Sequence, residues 1–518
     1  MTESGVWDGP EAAWRKAFEG VCNHARRGAA IGSVESLLGW DEQTMMPVLA
    51  SDHRADQAAA IAGLLHAHRT DRAHGDRLAT LAEAPAGRGD SDSAVTIRRL
   101  HDDFRKQARL PSRLVEEIAR TCVRAQAAWI EARKQSDWSL LEPWIGRVMA
   151  LKREQGECQL PDRDPYDALM DDYEPGGCAS RIAERFGRLR ERLVPLVQAI
   201  ADPPRRPLDA VVRRHYPRAA QEAFVRRVAS GIGFDFARGR LDSSEHPFCS
   251  TLGPHDCRIT TRWDEHDLLT SLYGVLHEAG HGLYEQGLRS EWFGLPPGEA
   301  ASLAIHESQS RFWENMVGRS PGFWEWCLPI ASEAFPESLG DVTPQQMYEA
   351  TLVVRPSFIR VEADEVTYNL HVMLRFDLER AMIRGDLAVA DLRDAWNERF
   401  AADFGLSIDR DADGVVQDVH WPAGLVGYFP TYTLGSMHAA QLMTAVRRQL
   451  GDVDGLVRRG AFSPVLDWLR THVHLRGRML ESDALVEAAT GEPPSERPLV
   501  ESLWERYGPA HGLPSRPA

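Results

Sequence analysis

The stretch LLTSLYGVLHEAGHGLYEQGL, residues 268–288, decides how this chain is read. Leu269, Leu272, Leu276, Ala279 and Leu283 recur at spacings of three and four, which predicts an amphipathic helix with one buried face. Within it stand His277, Glu278 and His281, a His-Glu-x-x-His motif. Residues four apart are neighbours on a helix, so the two imidazoles can hold one Zn²⁺ together. Glu278 projects beside that metal rather than at it. Two ligands, with a carboxylate set to take a proton from metal-bound water, are what a metallohydrolase needs. An ordinary helix with a buried histidine and a surface glutamate would carry the same residues, so the motif needs a third ligand to mean more.

Composition narrows the alternatives. With 518 residues, 43% hydrophobic and 26% charged, the chain has the make-up of a globular protein. A formal charge of −16 argues against nucleic acid as a partner and gives no support for adsorption to anionic membranes. Seven scattered cysteines without Cys-x-x-Cys spacing suggest neither a disulfide framework nor a thiolate zinc site. The start, MTESGVWDGPEAAW, lacks a basic segment followed by an apolar one, and no run of about 18 apolar residues could span a membrane. A cytoplasmic location is the expectation.

Most segments read as helix. Residues 113–134, 180–201, 218–231, 344–353, 364–384 and 437–450 all show apolar residues at three-four spacing. Loops are marked at 84–90, 160–166 and 293–300, and the tail from 511 to 518 reads as frayed. Cys257–Trp263 is the best strand candidate, with Gly414–Gln417 a second. No internal repeat or linker divides the chain. The expectation is a mostly α-helical single catalytic unit over 1–518. Within it we expect an N-terminal helical lobe at about 10–240, a zinc-bearing region at about 241–440 and a C-terminal helical region at about 441–510.

A catalytic zinc usually takes three protein ligands and a water. Downstream of Pro296 and Pro297 a new helix is predicted, and a glutamate there would complete a His₂Glu site; from spacing alone Glu299, Glu307 and Glu314 compete. Glu307 has an alternative partner in Arg311, one turn on.

At this point the chain resembles the thermostable carboxypeptidase (Taq) family of zinc metallocarboxypeptidases. The matching motifs run in order: His246-Pro-Phe248, Asp256-Cys-Arg258-Ile-Thr260, His277 to His281, and His306-Glu-Ser-Gln309. Ile359-Arg-Val-Glu-Ala-Asp364, Gly414 to Trp421 and Gly427 to Gly435 follow, while Trp40 to Pro47 and Asp164 to Tyr173 match upstream. The likeness covers roughly 10–510. It implies a two-lobed helical body with a deep groove and a small sheet beside the zinc helix. It also implies a homodimer, and removal of single amino acids from peptide C-termini with broad side-chain tolerance. It makes His277, His281 and Glu307 the ligands of one metal ion, and Glu278 the general base and acid. Zn²⁺ is the default, and a site of two nitrogens and one oxygen also accepts Co²⁺ or Mn²⁺. Two departures stand out: Cys249 follows His-Pro-Phe where Ser or Thr is expected, and Cys257 sits inside the Asp-x-Arg motif. Neither removes a ligand, but both point to oxidation sensitivity.

The remaining motifs offer substrate contacts. An exopeptidase must hold a free carboxylate, which arginine does through two parallel N–H groups. Arg360 is the first candidate and Arg258 the second, with ion pairs to Asp364 or Asp256 as their structural alternatives. Tyr428, Tyr432 and His420 are candidate donors to the oxyanion, and packed aromatics otherwise. His246 reads as a polar group near the site, and His306 as a structural residue pointing away from the metal. Asp364 and Asp418 are candidates to orient a ligating imidazole, and Trp40-Asp41 is read as packing of a lobe over the groove. Three other readings remain: an oligopeptidase or dipeptidyl carboxypeptidase, a catalytically silent peptide-binding protein, and a structural zinc protein.

Overall fold

A computed structural model describes residues 10–514. Four helices come first: α1 (Pro10–Thr44), α2 (Ser51–Arg69), α3 (Arg72–Glu83) and α4 (Asp92–Ala108). α1, α3 and α4 share a small core of Val21, Leu78, Leu81 and Ile97. Next come α5 (Ser112–Gln135), α6 (Glu142–Gln159), α7 (Pro165–Met170), α8 (Ala179–Ala201) and α9 (Arg218–Ile232). From Ala132 onward their buried residues join the main core, which continues to Ala510.

The strands β1 (Gly239–Ser243), β2 (Cys249–Gly253) and β3 (Asp256–Thr261) form one sheet in the order β1-β3-β2. β1 runs parallel to β3, and β2 antiparallel to it. Cys257–Trp263 is therefore a strand as expected, ending at Thr261. Gly414–Gln417 is not. It lies in turns after a short 3₁₀ segment, because the Gln417 side chain is committed to Phe358 O and Asp413 O and holds the loop folded on itself.

The sheet packs on α10 (Leu268–Gly287), which carries the His-Glu-x-x-His motif. Asp267 caps it by accepting from Leu269 N. The expected single buried face is too narrow. Leu272, Leu276, Ala279 and Leu283 are fully buried, but so are Val275, Gly280 and Tyr284 on other faces. α10 is a central helix, enclosed by the sheet, by α9 and by α11 (Leu303–Arg311).

After α11 the chain makes a π-helical turn over Phe312–Val317. It continues as α12 (Pro321–Ala334), α13 (Pro336–Leu339), α14 (Pro344–Ala350), α15 (Glu365–Arg384), α16 (Leu392–Phe404) and α17 (Pro430–Leu450). Four more helices close the chain: α18 (Val453–Arg458), α19 (Ser463–His472), α20 (Ser482–Thr490) and α21 (Arg497–Ala510). The predicted helix at 437–450 thus begins at Pro430, since proline is accommodated in a first helical turn. The tail is held as far as it is described: His511 is buried and its carbonyl accepts from Arg205 N. Residues 515–518 lie outside the described residues.

Two glycines set the spacing of the central layer. A Cβ on Gly280 would stand 2.6 Å from Gln309 O and from Ser310 Cα, so α10 and α11 touch backbone to backbone. A Cβ on Gly435 would stand 2.6 Å from Glu307 Cβ, so α17 presses α11 from the other side. Glycine in a helix interior costs about 1 kcal/mol against alanine; the close approach is what that cost secures. Gly280→Ala and Gly435→Ala should each destabilise the protein by about 1–3 kcal/mol through overpacking. Both should lower metal content by displacing Glu307. Denaturant melts with elemental analysis test this, and unchanged values for both would mean the layer has slack.

Candidate metal centre and active site

α10 and α11 bring three candidate ligands together. Glu307 Oε2 lies 3.7 Å from His277 Nε2 and 3.4 Å from His281 Nε2. Each of the three offers one atom to a cluster whose members all lie within 4.8 Å of one another. Donors on one tetrahedral zinc, with bonds of about 2.0–2.1 Å, stand roughly 3.4 Å apart. The donor set and its spacing fit a divalent metal.

The far sides of these ligands are also occupied. Glu314 Oε2 lies 2.9 Å from His277 Nδ1. His306 Nδ1 lies 2.5 Å from His281 Nδ1, and its Nε2 is 2.9 Å from Glu285 Oε1. Both histidines are thereby turned with Nε2 toward Glu307, an arrangement that fixes ring orientation in metal sites. His306 does not point away from the centre as expected; its ring stacks on that of His281 with centres 4.5 Å apart. Asp364 and Asp418 do not touch either imidazole. Asp364 caps α15 through Val366 N and Thr367 N, and Asp418 pairs with arginines.

Among the three glutamates that spacing left in competition, position now discriminates. Glu299 pairs with Arg478, away from the histidines. Glu314 meets a histidine only at Nδ1. Glu307 faces both Nε2 atoms and at the same time accepts from Arg311 Nε through Oε1 at 2.7 Å. The ion pair and the ligand geometry use different oxygens and coexist.

Charge is arranged for a cation. Burial opposes ionisation of Glu307, but Arg311 and His277 outweigh it and hold the carboxyl well below its usual range. Burial opposes protonation of His277 too, yet Glu307 and Glu314 draw its pKa up to about 9. His281, by contrast, is pushed down to about 4 by burial and by His306. The field at His277 thus favours positive charge. Glu278 is 6% exposed, and burial pushes its carboxyl up to about 7 despite His277.

Beyond Glu307 a chain of rings and guanidiniums continues. Arg311 lies over the Tyr368 ring at 4.4 Å. Arg360 Nη1 donates to Tyr368 Oη at 3.4 Å, and its guanidinium sits 5.4 Å from the Tyr432 ring centre. Arg360 Nε donates to Asp418 Oδ1 at 3.0 Å rather than to Asp364. Asp418 is held in turn by the fully buried Arg375, whose Nε donates to Oδ2 at 2.6 Å. Arg258 is engaged differently: Nε and Nη2 both donate to Asp256 at 2.9 Å, and the guanidinium stacks 4.3 Å from the Trp40 ring. That stacking gives Trp40 a physical role, joining α1 to the sheet. His420 Nε2 lies 3.3 Å from Tyr432 Oη, and Tyr428 meets Tyr432 edge-on at 5.3 Å. Burial raises the pKa of both tyrosines, so they stay O–H donors, and Glu307 contributes to the field at each. The His246 side chain is exposed in the loop before β2, where Pro247 lies against Gly274 of α10. Tyr368 and Arg375 were missed by the sequence reading. Their seven-residue spacing on one helix face was a usable signal.

Residues 20–507 match the family model for Carboxypeptidase Taq (M32) metallopeptidase. The chain belongs to that family. Thermostable carboxypeptidase 1 of Thermus thermophilus is 43% identical over 513 residues, covering 97% of this chain and 100% of the relative. Carboxypeptidase 1 of Bacillus subtilis is 34% identical, covering 91% and 94%. The crystal structure of an M32 carboxypeptidase from Deinococcus radiodurans superposes with a TM-score of 0.92 at 38% identity, covering 96% of this chain and 100% of the other. Membership makes this chain a carboxypeptidase, a peptide hydrolase dependent on a metal ion. Among the described residues no helix is long and apolar enough to cross a membrane.

Replacing Glu307 with Ala should remove most of the bound metal. Glu314→Gln should weaken metal affinity by about 10–100-fold, as loss of an outer partner commonly does. Chelator competition against elemental analysis separates the two; full metal retention in Glu307→Ala would disqualify it as a ligand.

Proposed function

We propose that this carboxypeptidase uses one Zn²⁺ per chain, held by His277, His281 and Glu307, and releases single amino acids from peptide C-termini with broad side-chain tolerance. The observation that carries the reading is the convergence of Glu307 Oε2 on both imidazole Nε2 atoms, with the buried Glu278 beside them. The ion, when bound, supplies a Lewis acid that polarises the scissile carbonyl and acidifies water. Co²⁺ and Mn²⁺ suit the same donors.

The chain's own groups do the rest. Glu278 accepts a proton from the attacking water at its carboxylate and returns it to the departing amine nitrogen. A carboxyl pushed up to about 7 can do both near neutral pH. Tyr428, Tyr432 and His420 are the donors proposed for the oxyanion. Arg360 is the proposed holder of the substrate's terminal carboxylate, and Arg258 is the weaker candidate because Asp256 already takes both prongs of its fork. Asp418 and Arg375 position Arg360 from behind. His246 is proposed to meet substrate from its exposed loop. The homodimer remains part of this proposal and rests on the family likeness; light scattering of the purified chain tests it.

Glu278→Gln keeps the shape and should keep the metal, while lowering turnover by about 10²–10⁴-fold. Near-normal kcat in that variant would end the assignment. Amidating a peptide's C-terminus should cost about 2–5 kcal/mol in kcat/KM, because it removes the carboxylate that the buried Arg360 is proposed to hold. Arg360→Ala should lose a similar factor on free-acid peptides and little on amidated ones, a coupling read from the double cycle. Additive losses would make Arg360 structural. Equal wild-type rates on both peptides would favour an oligopeptidase over a carboxypeptidase that holds the terminal charge.

A further inference from the structure

The sheet carries two cysteines that the proposed chemistry does not use. Cys249 opens β2, Cys257 lies in β3, and their Sγ atoms stand 3.6 Å apart as free thiols. In the ladder Cys249 faces Ile259 and Cys257 faces Thr251, so the two are diagonal neighbours on one face. That face packs on α10. A Cβ on Gly282, the residue after His281, would stand 2.5 Å from the Phe234 ring and 3.3 Å from Cys257 Sγ, so ring and thiol together occupy the space that glycine leaves. Cys249 is half-buried, Cys257 is 3% exposed, and the charges of Glu278 and Glu285 act on the Cys249 thiol. The pair therefore sits between the sheet and the helix, beside the proposed base and one proposed ligand.

We propose that Cys249 and Cys257 form a redox site, at which a peroxide-class oxidant closes an intrachain disulfide that suppresses peptide hydrolysis and a thiol reductant reopens it. In the first step the Cys249 sulfur attacks one oxygen of hydrogen peroxide. The O–O bond breaks, leaving a sulfenic acid and one water. The Cys257 sulfur then attacks the Cys249 sulfur, the S–O bond breaks, and the departing hydroxide takes the Cys257 proton as a second water. Two thiols are oxidised by two electrons, and one peroxide is reduced.

The geometry explains both the inhibition and its reversal. An S–S bond of about 2.05 Å requires the sulfurs to close roughly 1.5 Å from their present 3.6 Å. Diagonal strand positions lie further apart than opposed ones, so closure has to drag the ladder. Cys257 Sγ already meets Gly282 O at 4.0 Å, so its displacement disturbs α10 beside the motif. A disulfide strained in this way is readily reduced. The hydrogen bond to Cys257, burial and the nearby carboxylates keep the Cys249 thiol protonated. The pair thus answers to sustained peroxide rather than to brief exposure.

The test treats metal-loaded wild type, Cys249→Ser and Cys257→Ser with millimolar hydrogen peroxide. It follows intact mass, non-reducing peptide maps, metal content, and activity before and after dithiothreitol. Wild type should lose two hydrogens, yield a cross-linked peptide pair holding residues 249 and 257, and fall in activity by about 10–100-fold, as a displacement near 1 Å can cause. Reductant should restore it, and whichever serine variant folds should resist. Absence of the cross-link, full activity in cross-linked protein, or equal loss in a serine variant would each overturn the proposal.

Discussion

The structure turns on a carboxylate that has been taken almost wholly out of water. Glu307 is 6% exposed, wedged between α10 and α17 where Gly280 and Gly435 leave no room for a side chain. A buried charge without partners is very costly, and here every partner is specific. Arg311 holds one oxygen, and Ser310 Oγ together with the two imidazoles surrounds the other. Arg311 also reaches Glu314, which fixes His277 from behind. The ligand set is thus a property of helix packing, because the same contacts that bring the backbones together aim Glu307 at both histidines.

From that centre, order spreads through charged and aromatic groups rather than through apolar contact alone. Arg311, Tyr368, Arg360, Asp418 and Arg375 form one line along α15 and the loop before α17. Glu379, further along α15, does the same for distant motifs: it accepts from Tyr166 Oη, Trp421 Nε1 and Gly427 N. Segments near residues 166, 421 and 427 are bound to one buried carboxylate, and Tyr173 meets Tyr428 edge-on. This accounts for motifs in the N-terminal half that have no chemistry of their own. They brace the loop that carries Tyr428 and leads into α17 with Tyr432.

Much was legible in the order of residues. The spacing of His277, Glu278 and His281 needs only the helical repeat to place two imidazoles together, and the repeat follows from Leu272, Leu276, Ala279 and Leu283. Helices such as α5, α8 and α15 were legible for the same reason, since periodicity and propensity act locally. What periodicity cannot carry is the neighbour supplied by another element. It left Glu299, Glu307 and Glu314 equivalent, offered Asp364 in place of Asp418 as the ion-pair alternative for Arg360, and turned His306 away from the centre. It also offered Gly414–Gln417 as a second strand candidate, because the β-branched pair Val415-Val416 suits one until Gln417 finds its carbonyl partners. The sequence by itself determined which residues could do the chemistry and on which helix they ride. Only the tertiary structure decided which glutamate faces the histidines and which aspartate backs each arginine, because those choices depend on how closely α10, α11, α15 and α17 approach.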